Sequence, residues 1–160
     1  DVLVLAAFVP GRYVFVAKKE VEKIPVFGAA VRACGHIYID RGDKTRALAS
    51  LDIARKRLEE AAPTVIIFPE GTRSNTGELG PFKKGAFVLA IQTGASVVPA
   101  AIFGSREVMK RGSFLINSGI VRVHFGEPIQ VGGYSMASRS KLTHRAQQVV
   151  SELQKRYKTG

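Results

Sequence analysis

The stretch "TVIIFPEGTRSNTGELGPFKKGAF", Thr64 to Phe87, decides how the chain is read. It opens as a buried strand does, with an unbroken apolar run from Val65 to Phe68. Runs of that kind belong to strands covered on both faces, as in parallel sheets. The run stops at Pro69-Glu70-Gly71. Beyond it come Arg73, Lys83 and Lys84, with glycine at 71, 77, 80 and 85. An apolar strand that ends in charges and glycines has reached the rim of a sheet, where open α/β folds bind their ligands.

Similar runs recur on either side: "RYVFVA" (12–17), "HIYID" (36–40), "SVVPAAIF" (96–103) and "IVRVHF" (120–125). Helical patterns lie between them. Over 43–62 the apolar residues fall at 47, 48, 51, 54, 58, 61 and 62, and over 138–157 at 142, 146, 149, 150, 153 and 157. Both sets follow the 3.6-residue period. Shorter helices are expected over 22–33 and 82–94, the second closed by Gly94. The stretch 104–119 reads as a basic, glycine-punctuated connection. Alternating strands and helices predict an α/β fold, a largely parallel mixed sheet flanked by helices, in a single domain over 1–160.

The 24 Lys and Arg against 13 Asp and Glu leave a net charge of +11. That balance favours a polyanionic partner: nucleic acid, anionic lipid or a phosphorylated metabolite. The single cysteine, Cys34, forms no internal disulfide, is expected to be a small buried hydrophobe, and is compatible with a cytosol-facing setting. The opening apolar run Val2–Val9 is shorter than the roughly 20 residues a bilayer crossing needs. It begins directly at Asp1, without an initiating Met, and the chain is expected to be a piece of a longer protein.

The rim suits an anionic ligand. Arg41 and Arg73 can each grip a phosphate through two parallel hydrogen bonds. Gly71 lets the main chain approach a ligand. Lys83 and Lys84 fall where a helix is expected to begin, near Pro81, and free N–H groups at such an end favour anions. Glu70, among so many bases, is expected to stay ionised and either to orient an Arg or to accept a substrate hydroxyl. If the strands ending at Asp40 and Phe68 are parallel neighbours, their ends emerge about 5 Å apart. Each charge also has a plainer reading: Arg41 and Arg73 as solvated rim residues, Lys83-Lys84 as a solvated helix start, and Asp40 paired with Arg41 or capping a turn.

Several familiar sites are absent from the sequence. "GPFKKGAF" has P-loop glycine spacing but lacks the Lys-Ser/Thr pair. "GASVV" lacks the closing glycine of a nucleophile elbow. Three scattered histidines and one cysteine make no metal site. His36 and Asp40 share a strand face but sit about 13 Å apart. His124 is expected to be structural and His144 solvated.

"FPEGTRS" (68–74) resembles the signature of the 1-acyl-sn-glycerol-3-phosphate acyltransferases, within the glycerolipid acyltransferase family. Three more blocks agree in order: "FVAKKEVEKIPVFGAAVRACG" (15–35), "GHIYIDR" (35–41) and "VVPAAI" (97–102). The similarity runs from residue 1 to about residue 130. Asp1 matches the last residue of the family's Asn-His-x-x-x-x-Asp block, whose histidine is expected five residues before Asp1.

The resemblance implies transfer of a fatty acyl group from acyl-CoA or acyl-carrier protein to the free hydroxyl of lysophosphatidate, giving phosphatidate. Asp1 would orient the base histidine, which would take the proton of the attacking hydroxyl. These 160 residues by themselves are then expected to transfer no acyl group at an appreciable rate. Arg41, Glu70, Gly71 and Arg73 would hold the acceptor's phosphate and glycerol, with Thr72 in support and Lys83 and Lys84 extending the site. Pro99 would shape a strand near the acyl donor. No cofactor and no metal are implied. The lipid substrates imply membrane association on a cytosol-facing surface, with anionic lipids as partners and no nucleic acid. Other acceptors (glycerol-3-phosphate, another lysophospholipid or a lyso-aminolipid) remain open, as does a non-catalytic anionic-lipid or nucleic-acid-binding domain.

Overall fold

The computed structural model describes residues 2–18, 36–39, 52–53, 55–56, 60, 63–72, 74, 78–109 and 115–157. The chain divides into two compact units, 9–68 on the one hand and 1–8 with 69–160 on the other.

In the first unit three strands form a parallel sheet: β1 (Tyr13–Lys18), β2 (Ile37–Ile39) and β3 (Thr64–Ile66). Their order is β2-β1-β3, with Val16 opposite Ile37 and Phe15 opposite Ile66. The carboxyl ends of β2 and β3 therefore lie on one edge of this sheet, as the alternation of strand and helix predicts. They are not neighbours, however. β1 separates them by two strand spacings, about 9–10 Å rather than about 5 Å, and β2 also ends three residues further along β1 than β3 does, at Lys18 against Phe15. In the central strand Val14, Phe15 and Val16 are all buried, as is Ile37 of β2. The helix expected over 43–62 agrees at its described positions, Asp52, Ile53, Arg55, Lys56 and Glu60. Ile53 lies outside the apolar periodicity and is exposed, while Arg55 pairs with Asp52 along the helix surface. The helix expected over 22–33, Cys34 and Asp40 lie outside the described residues.

The second unit begins with α1 (Val2–Phe8), whose Leu5 is buried. It continues through α2 (Gly85–Thr93), β4 (Ala100–Phe103), α3 (Ser105–Val108), β5 (Arg122–Phe125) and α4 (Arg139–Tyr157). α2 ends where its sequence says it should: Gly94 takes the left-handed conformation, φ 69°, that terminates helices without a Cβ penalty. Ser138 starts α4, its carbonyl accepting the first helical N–H groups. Leu142, Ala146, Val150 and Leu153 of α4 are buried. They build one cluster with Phe87, Ala90 and Val131 and another with Ala101.

β4 and β5 are antiparallel, with Ala101 opposite His124. Pro99 precedes β4, a position where the missing N–H costs no ladder bond, and the expected strand start at 96 survives as a single bridge from Val97 to Ile129. The connection after β4 is not wholly irregular, because α3 occupies its first turn. Among the described residues no helix is long and apolar enough to cross a membrane.

Candidate active site

After β3 the chain turns at Pro69-Glu70. Gly71 is buried and carries φ 75°, a left-handed backbone that any Cβ would strain. Thr72 follows, exposed. Pro69 ends the extended run and Gly71 reverses it, which is why an apolar strand gives way so abruptly to a polar turn.

This turn is fastened to a segment ten residues on. Glu70 Oε2 accepts the Gly80 N–H at 2.8 Å, and the Pro69 carbonyl accepts the Lys83 N–H at 2.8 Å. The Gly80 carbonyl in turn accepts from Gln147 Nε2 of α4 at 3.4 Å. Gly80 has no room to spare, since a Cβ there would lie 3.1 Å from Glu70 Oε2. Leu79 and Phe82 press the same segment onto the Ala101–Val150–Leu153 cluster, and Phe82 stacks on Phe87 with ring centroids 6.2 Å apart. A rigid platform results, with Thr72, Lys83 and Lys84 exposed upon it.

Glu70, Gly71 and Thr72 are thus brought together with Lys83 and Lys84. Lys84 is the residue before α2, so the helix starts at Gly85, a few residues later than Pro81 suggested. Its first bonds run from the Phe87 and Val88 N–H groups to the Lys84 carbonyl. One oxygen of the Glu70 carboxylate holds the Gly80 backbone N–H, a partner the sequence did not suggest; a carboxylate offers about four lone-pair sites, so this bond occupies only a fraction of its capacity. Pro99 is buried at the base of the β4–β5 hairpin, where its carbonyl accepts the Gly126 N–H at 2.8 Å. Asp1, Arg41 and Arg73 lie outside the described residues.

Two participants were not anticipated from the sequence. Gly80 stood out only as one glycine among several. Gln147 had no signal at all, being one polar residue beside the buried Ala146 on a long helix. His36 and His124 pack against aromatic rings. His36 Nδ1 accepts the Phe15 N–H at 3.2 Å, which in the neutral ring leaves the proton on Nε2, and the ring lies 5.3 Å from that of Phe15. His124 stacks on Tyr157 at 3.7 Å. His144 is exposed.

The Pro69-Glu70-Gly71-Thr72 turn is thus fastened to the segment that leads into a basic helix start. The sequence pattern of the acyltransferase family matches residues 1–103, and the chain belongs to that family. Within it, the chain is similar to 1-acyl-sn-glycerol-3-phosphate acyltransferases. It is 41% identical over 118 residues to the chloroplastic enzyme BAT2 of Brassica napus, covering 73% of this chain and 34% of that one. It is 32% identical over 135 residues to the Haemophilus influenzae enzyme, covering 84% and 55%. The chain thus spans about a third to about half the length of these curated relatives. The crystal structure of the 1-acyl-sn-glycerophosphate (LPA) acyltransferase PlsC from Thermotoga maritima superposes with a TM-score of 0.82 at 28% identity, over 100% of this chain and 62% of that one. The α/β fold expected from the sequence is the fold of that enzyme.

Proposed function

We propose that the protein transfers a fatty acyl group from acyl-CoA or acyl-carrier protein to the free hydroxyl of lysophosphatidate, forming phosphatidate. The observation that carries this reading is the Glu70-Gly71-Thr72 turn, held rigid against Lys83 and Lys84, in a chain whose relatives bear that activity in their names. The roles follow from chemistry. Arg41 and Arg73 bind the acceptor phosphate, each able to make two charge-assisted hydrogen bonds. Gly71 and Thr72 face the glycerol, Lys83 and Lys84 add positive charge, and Pro99 shapes the region of the acyl donor. Asp1 orients a histidine base, which takes the proton from the acceptor hydroxyl as it attacks the thioester carbonyl; the thiolate leaves with the electron pair of the broken C–S bond and takes up the proton from the histidine to become the free thiol. No cofactor beyond the acyl donor enters the reaction. Because acceptor and product are lipids, the protein works at a membrane surface bearing anionic lipid, on its cytosol-facing side.

An acyl-transfer assay of the full-length protein, run across several acceptors and both donor types, tests this. Lysophosphatidate should give phosphatidate; turnover confined to a different acceptor would replace the reading. In the same protein Arg73→Ala or Arg41→Ala should lower kcat/KM for lysophosphatidate roughly 10- to 150-fold, equivalent to a lost charged hydrogen bond of about 1.5–3 kcal/mol. Unchanged kinetics in both variants would remove the phosphate contacts from the scheme.

A further inference from the structure

The connection between β4 and β5 carries apolar side chains that the fold does not bury. Met109 is 40% exposed, Leu115 75%, Ile116 71% and Ile120 69%. Large apolar side chains left exposed together along one connection mark a place of interaction. The connection is also well built. Gly104 holds φ 78°, and a Cβ there would fall 2.0 Å from the Ile120 carbonyl oxygen, so only glycine lets the two arms meet. Gly119 packs as closely, its notional Cβ 2.8 Å from Val108 Cγ2. The Asn117 N–H donates to the Val108 carbonyl at 2.8 Å, and Asn117 Nδ2 reaches the Glu107 carbonyl at 3.4 Å. These contacts close residues 104–109 on 117–120. They bring Met109, next to Val108, alongside Ile116, next to Asn117.

The sequence of this connection carries charge of one dominant sign. Between Gly104 and Val121 the sequence holds Arg106, Lys110 and Arg111 against Glu107 alone, and exposed Arg122 opens β5. Exposed aliphatic side chains in a basic stretch of sequence complement the boundary between acidic headgroups and acyl chains. A protein partner would instead have to supply both a groove and a matching set of acids.

We propose that this connection seats in the surface of an anionic bilayer, with Leu115, Ile116 and Ile120 entering the boundary region and the basic residues meeting lipid phosphates. The inference rests on the reading that the acceptor is a membrane lipid, and adds to it the part of the fold that touches the membrane.

The chain contains no tryptophan, so Ile116→Trp provides a single fluorescent reporter at an exposed position. With phosphatidylcholine vesicles containing phosphatidic acid, its emission should shift to the blue and be quenched by lipids brominated in the acyl chain. Vesicles of phosphatidylcholine alone should give a much smaller response. Leu115→Ser with Ile120→Ser should weaken co-sedimentation with the anionic vesicles about tenfold or more, as expected for removing two aliphatic side chains from the interface. If the chain co-sediments but the reporter stays unquenched, the assignment of this connection is overturned while the membrane reading stands. If it co-sediments with no vesicle, the membrane reading itself fails, and this inference with it. Self-association without lipid that Leu115→Ser abolishes would assign the surface to a second copy of the chain and overturn the proposal.

Discussion

At Glu70 the signature residue and the scaffold meet. The carboxylate is part-buried and accepts the Gly80 N–H at 2.8 Å. Glu70→Ala leaves that donor without its partner and should cost about 1–3 kcal/mol of stability, the usual penalty for an orphaned buried group. Urea melts of the variant and faster hydrogen exchange at the Gly80 amide would register the loss. Glu70→Gln keeps an acceptor oxygen in place and should recover most of the stability. If Glu70→Gln is nevertheless as poor as Glu70→Ala in acceptor KM, the negative charge serves the substrate as well as the scaffold. Glu70→Gln as unstable as Glu70→Ala would contradict the hydrogen-bond account. Gly71 and Gly104 are also fixed by geometry, the first by φ 75° and the second by φ 78° with a carbonyl in the way. Gly104→Ala should therefore destabilise the protein by more than the roughly 1–2 kcal/mol that a left-handed backbone alone costs an L-residue, seen as a lower Tm.

At the scale of elements, α4 ties the second unit together. Leu142 is fully buried, at 0% exposure, and touches both α2 and the stretch around Val131. Leu142→Ala should cost about 2–5 kcal/mol, the usual range for emptying a packed leucine site, and a calorimetric or urea midpoint shift checks it. A variant within about 0.5 kcal/mol of the parent would mean the cluster is not the unit's core. α4 was also the most legible element. Its apolar residues recur over five turns, so the expected span 138–157 and the observed Arg139–Tyr157 differ by one residue. Strand positions were nearly as clear, for β1 and β3 lie in apolar runs bounded by turn residues and β5 alternates polar with apolar residues. What sequence could not carry was strand order. An apolar run pairs equally well at the centre or beside it, and β1 takes the centre through tertiary packing. The fastening of Glu70 to Gly80 was hidden for a similar reason: it uses a backbone N–H, which every residue but proline offers. Lys83 and Lys84, by contrast, were legible as the beginning of a helix, because glycine and an apolar period follow them.

Over the whole molecule the decisive quantity is charge. A surplus of +11 on 160 residues should draw the protein to acidic surfaces over a distance set by the Debye length, about 10 Å at 0.1 M salt and about 3 Å at 1 M. Binding to phosphatidic acid vesicles should accordingly weaken steeply as salt rises from tens of millimolar to molar, with co-sedimentation as the measurement. Salt-insensitive binding would mean that apolar contact alone holds the protein there. The charge was plain from composition; its meaning was not, since nucleic acid and lipid phosphates look alike to a lysine, and the proposal of lipid rests on the FPEGTRS block and the kinship of the fold. One last feature offers a handle on the molecule's integrity. The Tyr157 ring lies flat on His124, 3.7 Å away and 9° from parallel, so the end of α4 grips the β4–β5 hairpin through a pair of rings. With four tyrosines and no tryptophan in the chain, that immobilised phenol should contribute a sizeable share of the near-ultraviolet circular dichroism. Its band should fade when the helix terminus peels away, so a simple optical scan would catch local fraying before the rest of the chain unfolds.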